Sequence, residues 1–328
     1  MVQIAKPFAD AKGASTVQPR PEDYDFELDE ALASVVGIRA IIPGDAFTAE
    51  SLGTERSGNG VVIGPDGLVL TIGYLITEAE TVWISTGGNV VSGHVLGYDQ
   101  ETGFGLVQAL GRFELPALPL GSSVAAEVGE QVVVGAAGGR QASLAARIIA
   151  KQEFAGYWEY VLDEAFFTTP AHPNWGGTAV IGPGGDLIGI GSLQIQQMVA
   201  SRQGDDANMI VPIDLLKPIL QDLITIGRPN RPARPWLGLY ATEIGDSVAV
   251  LGLANRGPAQ QADLRTGDVI MAVAGTPVRG LAELFRRVWS LGRAGVAVPL
   301  TINREGKSFD VSIRSGDRRQ FLKGPVLH

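Results

Sequence analysis

The sequence contains no cysteine, which excludes disulfides, iron–sulfur clusters and thiolate zinc sites. Histidine is scarce: His94, His172 and His328 are scattered along 328 residues and make no metal constellation. No apolar run approaches the roughly 20 residues of a membrane span. The opening Met1-Val2-Gln3-Ile4-Ala5-Lys6-Pro7 lacks the apolar stretch of a signal peptide. A cytoplasmic protein without membrane contact is therefore expected. Positive charge is in deficit, with 26 Lys and Arg against 35 Asp and Glu, a net charge of −9. A nucleic-acid partner, which needs a basic footprint, is not expected, nor is any cofactor or metal.

What the chain has in plenty is glycine, 43 residues, beside 19 prolines and a hydrophobic content of 45%. That balance points to many short strands and turns rather than a helical bundle. Residues 1–32 read as a polar segment in which six acids between Glu22 and Glu30 interleave with Tyr24, Phe26 and Leu28. Either these acids form a solvated tail or the two aromatics dock on a neighbouring subunit. From Ser34 onward two sets of about six β-branched runs, joined near Leu118 to Val128, predict two successive β-barrels over 33–227. Pro65-Asp66-Gly67 is a turn signal between two of those strands. Apolar residues at 215, 216, 219, 220, 223 and 224 predict a helix over 215–226.

Residues 228–235 hold three prolines and no hydrophobic period, and read as a stiff linker. A smaller domain follows over 236–316, with a helix carrying Leu281, Leu284, Phe285 and Val288 on one face, and a tail expected to fray over 317–328.

Several motifs in sequence order carry a resemblance. The stretch Thr169-Pro170-Ala171-His172-Pro173-Asn174-Trp175-Gly176-Gly177-Thr178, followed by a hairpin, is similar to the G-N-S-G-G-P nucleophile loop of trypsin-like proteases. Gly257-Pro258-Ala259 through Asp268-Val269-Ile270 resembles the S-P-A-x-x-A-G-L-x-x-G-D-V-I run of PDZ domains. Val211-Pro212-Ile213-Asp214-Leu215-Leu216 resembles the joint between the two. Over roughly 33–315 the order resembles the HtrA/Deg group, trypsin-like serine proteases with a C-terminal PDZ domain. The resemblance implies a mainly β fold: a chymotrypsin-like double β-barrel followed by a PDZ-like domain.

Against that family's pattern, four positions depart. Tyr74 stands where the resemblance places the histidine base, Gly103 where it places the aspartate, and Trp175 where it places the nucleophilic serine. Pro173, two residues earlier, replaces a glycine that would donate an N–H to the oxyanion, and proline has none. A phenol with a reference pKa of about 10 is a poor base near neutrality. Acyl transfer needs the nucleophile, the oriented base and the donors together. The expectation is therefore a pseudoprotease, not an enzyme. His172, Ser57 and Ser192 show no partner in sequence that would replace the lost groups, and Trp175 either fills the former substrate pocket or anchors a ligand.

By the same resemblance Leu237, Gly238 and Leu239 form a carboxylate-binding loop, with Leu284 and Val288 lining a groove for an extended C-terminal peptide. The expected function is a non-catalytic peptide- or protein-binding scaffold or regulatory subunit, acting through that groove or the altered barrel cleft. Two alternatives stand beside it: an active HtrA-like endopeptidase using other residues, and a structural subunit of a larger enzyme complex. The family resemblance also implies a homotrimer.

Overall fold

Short β-branched runs separated by Gly, Pro and Asp turns fold as strands along most of the chain. A computed structural model describes residues 18–111, 114–196 and 206–324. Its sheets are two closed six-stranded barrels and one further six-stranded sheet, so the architecture is mainly β. The chain forms two units. One takes in the described residues up to Gln152, from Glu164 to Asn230 and from Lys323; the other takes in Glu153–Asp163 and Arg231–Leu322. The segment Glu153–Asp163, which sequence order placed with the barrels, thus belongs to the second unit.

In the first barrel β1 (Val35–Ile41), β2 (Glu55–Gly64), β3 (Leu68–Ile72), β4 (Thr81–Thr86), β5 (Asn89–Tyr98) and β6 (Phe104–Ala109) close in the order β1-β2-β3-β6-β5-β4. Alternation sets the inside: Val36, Ile38 and Ala40 are buried, while Arg39 between them points outward and pairs with Glu55 at 2.6 Å. The Pro65-Asp66-Gly67 turn forms between β2 and β3, closed by Gly67 N–H donating to Gly64 O at 3.1 Å. Gly67 supplies the positive φ of 80° that the turn requires.

The second barrel comprises β7 (Gln131–Gly135), β8 (Leu144–Gly156), β9 (Tyr160–Thr169), β10 (Ala179–Ile181), β11 (Leu187–Gln196) and β12 (Asp206–Pro212), in the order β10-β11-β12-β9-β8-β7. Val132, Val134, Ile148, Phe166, Val180 and Ile210 fill its core.

Two local expectations need adjusting. The helix predicted over 215–226 begins only at Leu220, because Pro218 lacks an N–H and disfavours helical backbone before it. A 3-10 turn over Ile213–Leu215 precedes it. The acidic lead-in ends in a packed helix, α1 (Leu28–Ala33), which buries Leu28 and Leu32. Phe26 sits against Gly185 of the same chain. Short helices α2 (Ala49–Leu52) and α3 (Leu220–Ile226) complete this unit.

The second unit contains β13 (Leu239–Ile244), β14 (Ser247–Leu253), α4 (Pro258–Gln261), β15 (Val269–Val273), β16 (Thr276–Pro277), α5 (Leu281–Ser290), β17 (Ala297–Arg304) and β18 (Lys307–Arg314). Sheet order is β13-β14-β15-β17-β18, with β16 beside β15, so β13 is an edge strand. Leu281, Leu284, Phe285 and Val288 form the buried face of α5, as their spacing predicts. Beyond β18 the chain does not fray at 317. Gly316 and Trp236 exchange backbone hydrogen bonds, and the Phe321 ring lies 4.8 Å from that of Trp236.

Candidate functional site

Two loops carry the residues singled out in the sequence, one in each unit. In the barrel unit Tyr74 lies in a 3-10 turn, Gly73–Leu75, just after β3. The Gly103 carbonyl accepts a hydrogen bond from Gly73 N at 2.6 Å. Tyr74 Oη donates to the Ser192 carbonyl at 2.9 Å and also bonds to Trp175. Tyr74 thus lies against Trp175, and Gly103 lies against Gly73, the residue before Tyr74. Burial pushes the Tyr74 phenol above its usual range, against the smaller opposing effect of the Trp175 hydrogen bond. Trp175 is only 5% exposed, which favours the pocket-filling reading over an exposed anchor. Pro173 is half-buried and opens the turn at 173–174.

His172 is buried and fully engaged. Its Nδ1 accepts from Asn174 N at 3.0 Å, so Nε2 carries the proton and donates to Ala142 O at 2.7 Å. Desolvation holds its pKa below the ordinary value. His94 lies on β5, and His328 is outside the described residues. Among the described residues no cluster of His, Asp or Glu is placed to hold a metal ion.

The residue that organises this loop is Asn59 on β2, which the sequence reading did not single out. Asn59 Nδ2 donates to the carbonyls of Asn174 at 2.8 Å and Gly176 at 3.1 Å, while Oδ1 accepts from Ala137 N at 2.9 Å. Its backbone N–H donates to Gly176 O at 2.8 Å. Gly177 must pass close to it: φ is 77°, and a β-carbon there would lie 1.9 Å from Asn59 O. Arg56, 1% exposed, fixes the neighbouring turn by donating to the carbonyls of Tyr74 at 2.7 Å and Thr77 at 3.0 Å. Burial lowers its pKa to about 10, opposed by the charge of Glu78.

In the second unit Leu237, Gly238 and Leu239 form the turn that leads into β13. Gly238 has φ 74°, the left-handed value that turns successive N–H groups to one side. All three point at one carboxylate, that of Glu159. Leu237 N donates to both its oxygens at 3.2 and 3.0 Å, Gly238 N to Oε1 at 2.7 Å and Leu239 N to Oε1 at 3.2 Å. Glu159 is 9% exposed. Burial pushes its pKa up to about 7, and the hydrogen bonds from Leu237, Leu239 and Gly238 and the charge of Arg318 pull the other way. Leu284 and Val288 are fully buried in the core of this unit with Leu237 and Leu239. Glu159 was not foreseen either. The signal available was an aromatic-rich stretch, Phe154, Tyr157, Trp158 and Tyr160, around a turn where Asn, Asp or Gly would be usual.

Comparison with known proteins agrees with this geometry. A family model described as trypsin-like peptidase domain matches residues 58–190, and a PDZ domain model matches 235–314. The chain is 26% identical over 276 residues to "Probable periplasmic serine endoprotease DegP-like" of Pseudomonas fluorescens, covering 80% of this chain and 56% of that protein. The chain thus spans about half the length of that relative. It is 24% identical over 271 residues to "Serine endoprotease DegS" of Haemophilus influenzae, covering 80% and 78%. A solved structure, "HtrA-type protease AlgW with decapeptide", superposes with a TM-score of 0.52 at 18% identity, covering 92% of this chain and all of that one.

These findings correct two expectations. The expectation that the chain is not an enzyme does not stand, because the relatives are named serine endoproteases. The cytoplasmic placement does not stand either, because the DegP-like relatives are named periplasmic. The chain carries a trypsin-like peptidase domain followed by a PDZ domain, and over 80% of its length it is similar to proteins named DegP-like and DegS serine endoproteases.

Proposed function

We propose that this chain engages polypeptides, and that the turn Leu237–Leu239 is its recognition element for a carboxylate. One observation carries the reading: three consecutive backbone N–H groups converge on a single carboxylate. Such a nest suits a peptide's C-terminus, since an extended segment can then pair with the edge of β13 while its carboxylate meets the amides. The decapeptide named with the AlgW structure belongs to that protein, and supports peptide binding as the property to test in this one.

The relatives' names make peptide-bond hydrolysis the second activity to assay. In this reading Tyr74, Gly103 and Trp175 stand at the base, acid and nucleophile positions, and Pro173 at an oxyanion donor. An indole and a glycine supply no nucleophilic oxygen, and the Tyr74 phenol stays protonated near neutrality while it donates to Ser192 O. Hydrolysis by this chain would draw its nucleophile from elsewhere in the cleft.

The test of the recognition reading is fluorescence anisotropy with matched peptides ending in a free carboxylate or a C-terminal amide. Binding should depend on the free carboxylate, with the amide-ended peptides binding much more weakly. Equal binding of acid and amide peptides would contradict it.

A further inference from the structure

The nest at Leu237–Leu239 already holds a ligand, and the ligand belongs to the same chain. We infer that Glu153–Asp163, the tip of the β8–β9 hairpin, is an internal ligand of the PDZ-type groove. Glu159 takes the place of a peptide's terminal carboxylate, and an external C-terminal peptide binds by displacing it. The inference rests on the reading of Leu237–Leu239 as a carboxylate loop.

Four observations support it. The carboxylate contacts use both oxygens and all three amides of the turn. The hairpin also reaches the edge of the sheet: β13 pairs with β14 on one side, and on its free side Ala241 N donates to Tyr157 O at 2.9 Å. That bond is the kind an added peptide strand would make. Val161, two residues past Glu159, is buried in one apolar cluster with Leu237, Leu239, Leu284 and Val288. It gives the hairpin an apolar anchor beside its carboxylate, which is the combination a C-terminal peptide would present. Finally, Arg286 on the exposed side of α5 binds Glu153 on β8 and, at 2.5 Å, Asp163 on β9. One guanidinium therefore ties both strands of the hairpin to the helix that walls the groove.

The turn itself bears the cost of this arrangement. Glu159 has φ 60°, a left-handed conformation that a non-glycine residue adopts only when its surroundings hold it there. Glycine or asparagine would fit the turn better, but neither has a side chain that delivers a carboxylate to the nest. The ligand expected to compete is a peptide with a free C-terminal carboxylate and an apolar last side chain. Its apparent affinity is the intrinsic affinity multiplied by the open fraction of the groove, so a hairpin docked 99% of the time weakens binding about 100-fold.

Two readouts on the full chain test the inference separately from the reading beneath it. The first is hydrogen exchange at the amides of Leu237, Gly238 and Leu239. Protection is expected in the wild type and loss of it in Glu159→Ala. The second is anisotropy with a pool of fluorescent heptapeptides ending in Val, Leu, Ile, Phe or Tyr, as free acids and as amides. Glu159→Ala is expected to bind the free-acid pool at least about 10-fold more tightly than the wild type. Arg286→Ala, which leaves the nest intact but unties the hairpin, should gain less, about 2- to 5-fold, and serves where Glu159→Ala folds poorly. Fast exchange at the three amides in the wild type would overturn the internal ligand. Equal peptide affinity in the wild type, Glu159→Ala and Arg286→Ala would overturn the competition. Protection in the wild type without acid-dependent binding by either variant would instead overturn the carboxylate-loop reading, and competition with it.

Discussion

The loop at Trp175 and the turn at Leu237 are both satisfied from within the chain, but by opposite kinds of group. At Asn174 and Gly176 the loop offers carbonyls, and the neutral amide of Asn59 fills them from β2. At Leu237–Leu239 the turn offers N–H groups, and the titratable carboxylate of Glu159 fills them. A neutral amide bonded on both ends has no protonation state to change, so the first contact is a fixed part of the frame. A buried carboxylate carries a desolvation penalty that its hydrogen bonds only partly offset, so the second contact is poised closer to release. On the proposed function, the difference separates a fixed frame from a receptor.

The expected consequences run from large to small. Gly177→Ala should be the most damaging change, because the new β-carbon meets the Asn59 carbonyl at 1.9 Å with φ at 77°. A loss of about 4 kcal/mol or more is expected in denaturant unfolding. Asn59→Ala comes next, at about 3 kcal/mol, since it strands the Ala137 N–H, removes the side-chain bond to the Asn174 carbonyl, and leaves the Gly176 carbonyl only the backbone N–H of residue 59. The combined change Tyr74→His, Gly103→Asp, Pro173→Gly and Trp175→Ser tests the proposed site positions. Casein turnover by this variant should exceed whatever rate the wild type shows in the same assay. No rise, in a protein that folds normally, would mean that these positions are misassigned. Gly238→Ala should cost least, about 1–2 kcal/mol, because only side-chain atoms of Trp236 and Ala254 approach the new methyl, at 3.0–3.2 Å. If the two glycine changes proved equally costly, the contrast between fixed frame and adjustable receptor would fail.

Stability should depend on pH through Glu159. Its folded pKa, about 7, lies above the ordinary glutamate value of 4.5, so the native state holds this proton more tightly than the unfolded chain. The associated stability is full below about 4.5 and is lost as pH rises through about 7. Unfolding midpoints measured across pH 4–9 should fall over that window in the wild type, and Glu159→Gln should flatten the fall.

The barrels and the final sheet were legible because their signals are local. Val35–Ile41 alternates within seven residues, Pro65-Asp66-Gly67 names its own turn, and the face of α5 repeats every three or four positions. The departures proposed at Tyr74, Gly103, Trp175 and Pro173 were read from short motifs, and the restored variant is what tests them. The contacts that hold the two loops were not. Asn59 reaches Gly176 across 117 positions, and Glu159 reaches Leu237 across 78. A side-chain amide or carboxylate bonded to distant backbone leaves no periodic trace. Glu159 also sits in an aromatic turn that reads simply as the end of two strands. The late start of α3 was a smaller miss, where apolar spacing outweighed Pro218 in the reading although the backbone obeys the proline.

The most direct measurement is the backbone amide shifts of Leu237, Gly238 and Leu239 followed by NMR from pH 5 to 9. The three should titrate together with a midpoint near about 7 in the wild type and stay flat in Glu159→Gln, because one carboxylate serves all three. Shifts that stay flat in the wild type, or that titrate unchanged in Glu159→Gln, would show that Glu159 is not the group in the nest.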